Sequence, residues 1–174
     1  MSTASAKLLV WAGDQCACIR IVGRANFTSS VDFKGLITEL LKRRCEYLVL
    51  DLAECVLMDS TFLGVLTGFG LRLRDGNGSP GPHGIELLNP SGRITELLDT
   101  LGVLHLFKIT QGSVKLPEQA EPRAHEPGSP SKDEVTRTCI DAHQTLMEIS
   151  PANAARFKDV TQFLADGLKK AKSA

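Results

Sequence analysis

The chain has 174 residues, of which 43% are hydrophobic, and its 20 basic and 20 acidic side chains give zero formal net charge. This length fits one domain with an appendage, and the apolar fraction is typical of a globular protein with a buried core. The balanced charge disfavours a nucleic-acid partner, because such proteins normally carry a basic stripe.

The first part of the chain predicts two antiparallel strands, a helix and a third strand. The predicted ranges are residues 7–12 and 15–22 for the first two strands, 31–44 for the helix and 46–52 for the third strand. Gly13-Asp14 between the first two strands suits a type II′ turn. Ser29 or Ser30 can cap the helix, whose apolar residues follow the 3-4 spacing of one helical face. Residues 47–50 of this strand form a continuous apolar run, as in a strand covered on both faces.

The next part predicts further alternation of helices and strands. Residues 53–58 are expected to bridge to a buried helix that begins at Asp59-Ser60 and ends near Asp75. The predicted ranges after it are 85–88 for a strand, 92–101 for a helix and 104–109 for a last strand. The order β-β-α-β-α-β-α-β predicts an α/β fold with a mainly parallel sheet, right-handed crossovers and flanking helices.

The composition changes after Leu116, and this predicts three segments. Residues 1–116 form the α/β domain. Residues 117–131 contain four prolines and scarcely an aliphatic side chain, which is typical of an extended linker. Residues 132–174 return to a helical pattern, with Ser150-Pro151 between two helices because proline fits the first helical position.

The amino terminus and the cysteines indicate the compartment. Residues 1–7 lack the charged leader and apolar run of a signal peptide, and no stretch is apolar over the length of a membrane span. The cysteines are odd in number and form no C-x-x-C pair, so we expect reduced, mostly buried thiols in a cytoplasmic protein. They are Cys16, Cys18, Cys45, Cys55 and Cys139.

The most informative segment is the junction at which a predicted strand ends and a helix begins. It reads Met58-Asp59-Ser60-Thr61-Phe62-Leu63-Gly64-Val65. This segment resembles the M-D-S-S-G-L-G-V signature of STAS domains, the family of bacterial anti-sigma factor antagonists. The predicted order of elements over residues 7–109 is similar to that of the family, so the resemblance implies a STAS-like fold.

The resemblance also implies a partner-switching cycle. In the family, the unphosphorylated antagonist binds an anti-sigma factor that is also a serine kinase. The kinase phosphorylates the serine that follows Met-Asp, the complex dissociates, and a phosphatase resets it. In this chain the phosphorylated residue is then Ser60. The residues expected to bind the partner are Asn26, Asp59, Ser60, Thr61, Phe62, Leu63 and Gly64.

Two residues depart from the family pattern, and the role of Ser60 has an alternative. Asn26 ends the second strand where the family has aspartate, so the hydrogen-bonding capacity is kept and the charge is lost. Phe62 replaces a glycine, which predicts a different partner or a covered site. Ser60 alone also makes a good helix cap, because serine is a preferred capping residue. A constitutive scaffold or homo-oligomer without phosphorylation is therefore the competing interpretation.

The sequence does not predict an enzyme, a metal site or a cofactor. Ser60 lacks the G-x-S-x-G elbow of hydrolases. The four histidines (His83, His105, His125, His143) show no metal-ligand spacing. Residues 76–81 fit G-x-G-x-x-G, but they follow a helix and precede a strand, which is the reverse of a dinucleotide site.

The tail carries an apolar stripe that must pack against something. In its first helix, apolar residues recur at alternating steps of four and three, which is typical of a helix that packs along its length on another helix. These residues are Val135, Cys139, Ala142, Leu146 and Ile149. Short helices are marginally stable alone, so the tail is expected to dock. Docking within the chain would cover the Ser60 surface. Docking on a second copy would make a homodimer, which we expect because the stripe is long and the linker generous.

Overall fold

A computed structural model describes residues 5–74, 84–113 and 121–173. Its sheet has the order β6-β5-β3-β2-β1-β7, and β4 pairs with β2 beside that row. The strands are β1 (Lys7–Ala12), β2 (Cys16–Ala25), β3 (Tyr47–Asp51), β4 (Cys55–Met58), β5 (Ile85–Leu88), β6 (Lys108–Thr110) and β7 (Arg123–Ala124). β1 runs antiparallel to β2 and to β7, and the other pairs are parallel. The mixed, mainly parallel sheet with flanking helices confirms the predicted fold class.

Five helices accompany the sheet in the described residues. They are α1 (Phe27–Lys42), α2 (Ser60–Leu73), α3 (Gly92–Thr100), α4 (Lys132–Ile149) and α5 (Pro151–Ser173). Side-chain caps start α1 to α4, from Asn26, Asp59, Ser91 and Ser131. Each accepts a hydrogen bond from a free N–H of the first turn, which explains why the helices begin where they do. None of these helices is long and apolar enough to cross a membrane.

The long strand β2 positions the Ser60 junction. Its first half pairs with β3, and after a register shift at Gly23/Arg24 its end pairs with β4. Gly23 has φ +98°, a conformation that L side chains rarely adopt. The parallel ends of β2 and β4 therefore lie side by side, and α1 and α2 begin next to each other.

Several local predictions are corrected by the structure. Gly13 lacks the positive φ of a type II′ turn, and its N–H donates to the Cys16 carbonyl at 2.8 Å. α1 starts four residues before the predicted 31–44 because Asn26 is the cap. β4 forms within the predicted bridge 53–58, and the predicted strand 104–109 divides into a 3-10 turn, Leu104–Leu106, and β6. The predicted helix end near Asp75, the loop 76–81 and His83 lie outside the described residues.

The predicted linker and tail lie against the α/β fold. In the linker, β7 pairs with β1, and the Gly128 N–H donates to the Asp32 carboxylate at 2.9 Å. Residues 114–120 lie outside the described part, and the segment boundaries stay a prediction. α4 packs on α2 and α1, and α5 packs on α4. The core shared with the sheet includes Ala142, Leu146 and Phe157.

The apolar stripes of the tail are only partly buried. On α4, Cys139, Ala142 and Leu146 are buried. On α5, Phe157 is buried, whereas Val160 and Phe163 of the predicted apolar face are 40% and 74% exposed. The tail therefore docks within the chain through α4 and the start of α5, and the predicted homodimer stays a prediction.

Candidate functional site

Asp59 joins the starts of the two helices. It is the N-cap of α2, and its carboxylate accepts from the Phe62 N–H at 2.9 Å. The other carboxylate oxygen accepts from the Phe27 N–H at 2.7 Å, in the first turn of α1. Burial raises the pKa of Asp59, although these hydrogen bonds and the nearby His143 act in the opposite direction. One carboxylate thus fixes both helix starts beside Ser60.

Asn26 uses its side chain to start α1. Its amide oxygen accepts from the Ser29 N–H at 3.3 Å and from the Thr28 hydroxyl at 2.6 Å. The Ser29 hydroxyl accepts in return from the Asn26 N–H at 3.1 Å, which completes a capping box. Asn26 is buried. The hydrogen-bonding capacity that the sequence keeps here therefore serves the fold at the edge of the site.

Ser60 is the first residue of α2 and contacts the tail. Its Oγ lies 2.8 Å from Nε2 of His143, which belongs to α4. Ser60 is half-buried and His143 is buried. The imidazole also lies against the Phe157 ring, with centroids 5.0 Å apart. The tail thus reaches the residue that the sequence motif singles out.

Burial governs the charge of His143. Burial lowers the pKa of the imidazole, whereas the Cys139 backbone and the Asp59 carboxylate act to raise it. Nδ1 makes no hydrogen bond of good geometry with the described residues. The neutral ring is therefore the favoured form at neutral pH, and its tautomer decides whether Nε2 accepts from Ser60 or donates to it.

The first two turns of α2 lie directly under α4. The Thr61 hydroxyl donates to the Cys139 sulfur at 3.5 Å, and burial raises the pKa of that thiol. A Cβ on Gly64 would lie 2.4 Å from the Ala142 carbonyl oxygen. Because that distance is far shorter than a normal contact, the α2 backbone approaches α4 this closely only with glycine at position 64.

Phe62 and Leu63 point away from this contact. Both are fully buried in the core. The Phe62 ring stacks on Phe33 of α1, with ring centroids 4.5 Å apart. Phe62 is therefore covered, which is one of the two alternatives predicted for it, since its side chain fills the space between α1 and α2. The partner contacts expected of Phe62 and Leu63 stay a prediction.

The structure brings together most of the predicted site residues in two groups. Asn26, Asp59 and Ser60 meet at the paired helix starts, and Thr61 and Gly64 face α4. His143 was not among the residues predicted for the site, because the spacing of the four histidines shows no metal-ligand pattern. A signal was present, because His143 lies four residues after Cys139 and therefore on the buried stripe of α4.

A cavity of about 340 Å³ borders the junction on α3. Its lining includes Leu57 and Asp59 from the junction and Arg93 and Leu97 from α3. Phe27, whose N–H bonds to Asp59, is 46% exposed. The junction therefore presents an apolar ring and a groove that α4 does not line.

The Ser60–His143 pair differs from a catalytic triad. In a triad, a carboxylate orients the imidazole through Nδ1. Here the Asp59 carboxylate accepts from backbone N–H groups instead, and no described carboxylate bonds to Nδ1. Within the described residues, no cluster of three His, Cys, Asp or Glu side chains has metal-binding geometry.

The sequence and the structure were compared with known proteins. The STAS domain family model matches residues 12–115. No curated protein matches the sequence significantly. Two solved structures are similar: the anti-sigma factor antagonist SpoIIAA in its unphosphorylated form, and the Bacillus cell fate determinant SpoIIAA in its phosphorylated form. They are 18% and 15% identical to this chain, with TM-scores of 0.48 and 0.47. Each likeness covers 63% of this chain, and 89% and 92% of those chains.

Proposed function

Because the chain belongs to the STAS domain family, we propose that it is a signalling module of the anti-sigma factor antagonist type. Its partner is a regulatory protein, an anti-sigma factor or serine kinase, in the bacterial cytoplasm. One observation carries the proposal: Ser60 is the first residue of α2, directly after the capping Asp59, at the place of the family's serine after Met-Asp.

The surface around Ser60 has the features of a protein-binding site. Asp59 and Ser60 are half-buried polar residues at the paired helix starts. Phe27 beside them supplies an exposed aromatic ring, the kind of side chain that anchors interfaces when a partner buries it. The groove against α3, which Asp59 lines in part, gives the partner a concave surface at the same junction. This part of the surface supports docking of a protein rather than turnover of a small substrate.

Phosphorylation of Ser60 supplies the switch in this proposal. A phosphate adds about 1.5 to 2 negative charges and three acceptor oxygens. The amino terminus of α2 tolerates that charge, because a helix N-terminus carries partial positive charge. A partner packed on Ser60 and Asp59 would meet the added bulk and charge beside an existing carboxylate. We therefore expect phosphorylation to weaken binding while the domain stays folded.

The proposal includes no catalysis by this chain. The Ser60 hydroxyl has a histidine partner, but the carboxylate beside it is held by the two helix starts. The imidazole thus lacks the third group that orients a base in acyl transfer. Purified protein is expected to show no hydrolase activity that depends on Ser60.

A scaffold or homo-oligomer without phosphoregulation is the second candidate. Two observations favour it. The Ser60 hydroxyl is engaged by His143, which hinders a kinase. Val160 and Phe163 of α5 are exposed, and they offer an apolar face for a second copy. A phosphopeptide that contains phosphoserine 60, detected in extracts of the native cell, decides for the switch.

Site-directed crosslinking tests the binding surface. A photo-crosslinking phenylalanine analogue at position 27 should capture the partner in cells, because Phe27 is exposed beside Ser60. The matched control carries the analogue at position 163, an exposed phenylalanine on α5. We expect a regulatory protein to be captured at position 27 only, and less of it with Ser60→Asp. Equal capture at both positions, or none at position 27, contradicts the proposal.

A further inference from the structure

We propose that α4 and α5 form a built-in cover of the Ser60 surface, and that the docked cover and a phosphate on Ser60 exclude each other. The inference rests on the proposed function, because the same phosphate on Ser60 is proposed to weaken binding of the partner at the uncovered side of the junction, formed by Phe27 and the groove against α3. The occupant is a segment of this chain, residues 132–173, which is seated on α2 in the structure.

α4 fits closely on the first turns of α2. Gly64 lets the two backbones approach so closely that a Cβ there would lie 2.4 Å from the Ala142 carbonyl oxygen and 2.6 Å from its Cβ. Four residues further, a Cβ on Gly68 would meet nothing within 4 Å. The close approach is therefore local to the turn of α2 that follows Ser60, and α4 covers this turn and the first one.

Ser60 itself is in contact with the cover. Oγ lies 2.8 Å from Nε2 of His143, so a phosphoryl group on Oγ would occupy the space of the imidazole. The ring cannot move inward, because Phe157 lies against it. Asp59 adds a negative charge beside the site, and burial disfavours the cationic form of His143 that would pair with phosphate. The phosphate and the docked helix thus compete for one space.

The tail is attached to the rest of the chain unevenly along its length. The Asn153 side-chain amide donates to the carbonyls of Leu101 and Leu146, at 2.9 and 2.8 Å, which ties the start of α5 to the end of α3. Further along α5, Val160 and Phe163 are 40% and 74% exposed, so the cover is attached mainly through α4 and the start of α5.

A native cysteine reports whether the cover is open. Cys139 is buried between α4 and α2, whereas Cys18 and Cys55 are buried in the sheet. Brief labelling of the full chain with N-ethylmaleimide, read by peptide mass spectrometry, therefore distinguishes two events. Of these three buried thiols, opening of the cover labels only Cys139, and unfolding of the chain labels all three; the exposed Cys16 is labelled in every state.

The decisive sample carries phosphoserine at position 60, installed by genetic code expansion. The matched control is the same protein after treatment with a phosphatase. We expect phosphoserine to raise the labelling rate of Cys139 by at least about tenfold, as the loss of one or two hydrogen-bond-sized contacts would. The rates at Cys18 and Cys55 should stay unchanged.

A second pair of variants opens the cover without phosphate. Ala142→Glu places a carboxylate in the tight contact with Gly64, and Gln144→Glu adds the same side chain at an exposed position of the same helix. Ala142→Glu should expose Cys139, and Gln144→Glu should leave it protected. If Ala142→Glu also labels Cys18 and Cys55, the milder His143→Ala, which removes the contacts of the imidazole with Ser60 and Phe157, takes its place.

The outcomes separate this inference from the proposed function. Cys139 that stays as protected with phosphoserine 60 as with serine overturns the cover, and so does stronger protection, which would show that His143 holds the phosphate. If partner binding is lost on phosphorylation while Cys139 stays protected, the proposed function stands and the cover fails. If phosphoserine exposes Cys139 but no captured protein depends on position 60, the cover stands and the proposed function fails.

Discussion

Replacing Gly64 with alanine tests the packing of the tail on α2. The new Cβ would lie 2.4 Å from the Ala142 carbonyl oxygen, so α4 must move by about 1 Å to restore a contact of 3.4 Å. The atoms it meets include backbone, which cannot rotate away. Such overpacking costs about 1–3 kcal/mol of the free energy of unfolding. Alanine returns about 1 kcal/mol through its helix propensity, so the net change is zero to about 2 kcal/mol of destabilisation.

Gly68→Ala is the matched control on the same helix. A Cβ at position 68 meets nothing within 4 Å, so this variant keeps the propensity gain and should stabilise the protein by about 0.5–1 kcal/mol. The difference between the two variants isolates the contact with α4, at about 1–3 kcal/mol. Urea denaturation measures both free energies of unfolding, and maleimide labelling shows whether Gly64→Ala exposes Cys139. Equal stabilisation by both alanines, with Cys139 protected in both, would refute the docking of α4 on α2.

Three further predictions follow from the site. Asp59→Ala should lower the free energy of unfolding by about 1–2 kcal/mol, because it removes the cap of α2. Asp59→Asn should keep most of this stability, because asparagine also caps helices, and urea denaturation measures both variants. Phe62→Ala should lower the free energy of unfolding by about 3–5 kcal/mol, because its ring is buried. Phe27→Ala should change it by no more than about 0.5 kcal/mol, because its ring is exposed. A smaller loss with Phe62→Ala than with Phe27→Ala would contradict the core position of Phe62. Burial lowers the pKa of His143 below 6.5, so the unfolded chain binds more protons just below that pH. Stability from the neutral ring is therefore present above pH 6.5 and is lost as pH falls from there towards the folded pKa. The free energy of unfolding, measured for wild type and His143→Gln at about pH 7.5 and about pH 5.5, should fall at the lower pH in wild type only. Because both proteins contain Asp59, its contribution cancels in this comparison. The same pH dependence in both proteins would contradict the prediction.

The fold and the serine at the junction were predictable because their signals are local. The apolar runs of β3 and β5, the periodic spacing of α2 and α3, and the Met58-Asp59-Ser60 motif each lie within a few adjacent residues. A local pattern of this kind specifies an element and its end without knowledge of its neighbours. The family match over residues 12–115 confirms the resemblance that this motif indicated.

The remaining features depend on contacts between distant residues. β7 lies in a segment whose prolines and charges predict a linker. It forms a strand because it pairs with the edge of β1, which its own sequence does not indicate. The contact of Ser60 with His143 spans 83 residues. The direction of Phe62 depends on Phe33 in another helix. Sequence spacing shows none of these contacts, so it located the serine but not the histidine that covers it.

The affinity of the captured partner for the two forms of this protein tests the central claim most directly. Titration calorimetry with the purified partner compares the full chain carrying serine at position 60 with the chain carrying phosphoserine there. The account predicts that phosphoserine raises Kd at least about tenfold, which corresponds to about 1.4 kcal/mol, and that phosphatase treatment restores the lower value. The same Kd for both forms, with phosphoserine verified by mass spectrometry, would contradict a phosphorylation switch at Ser60.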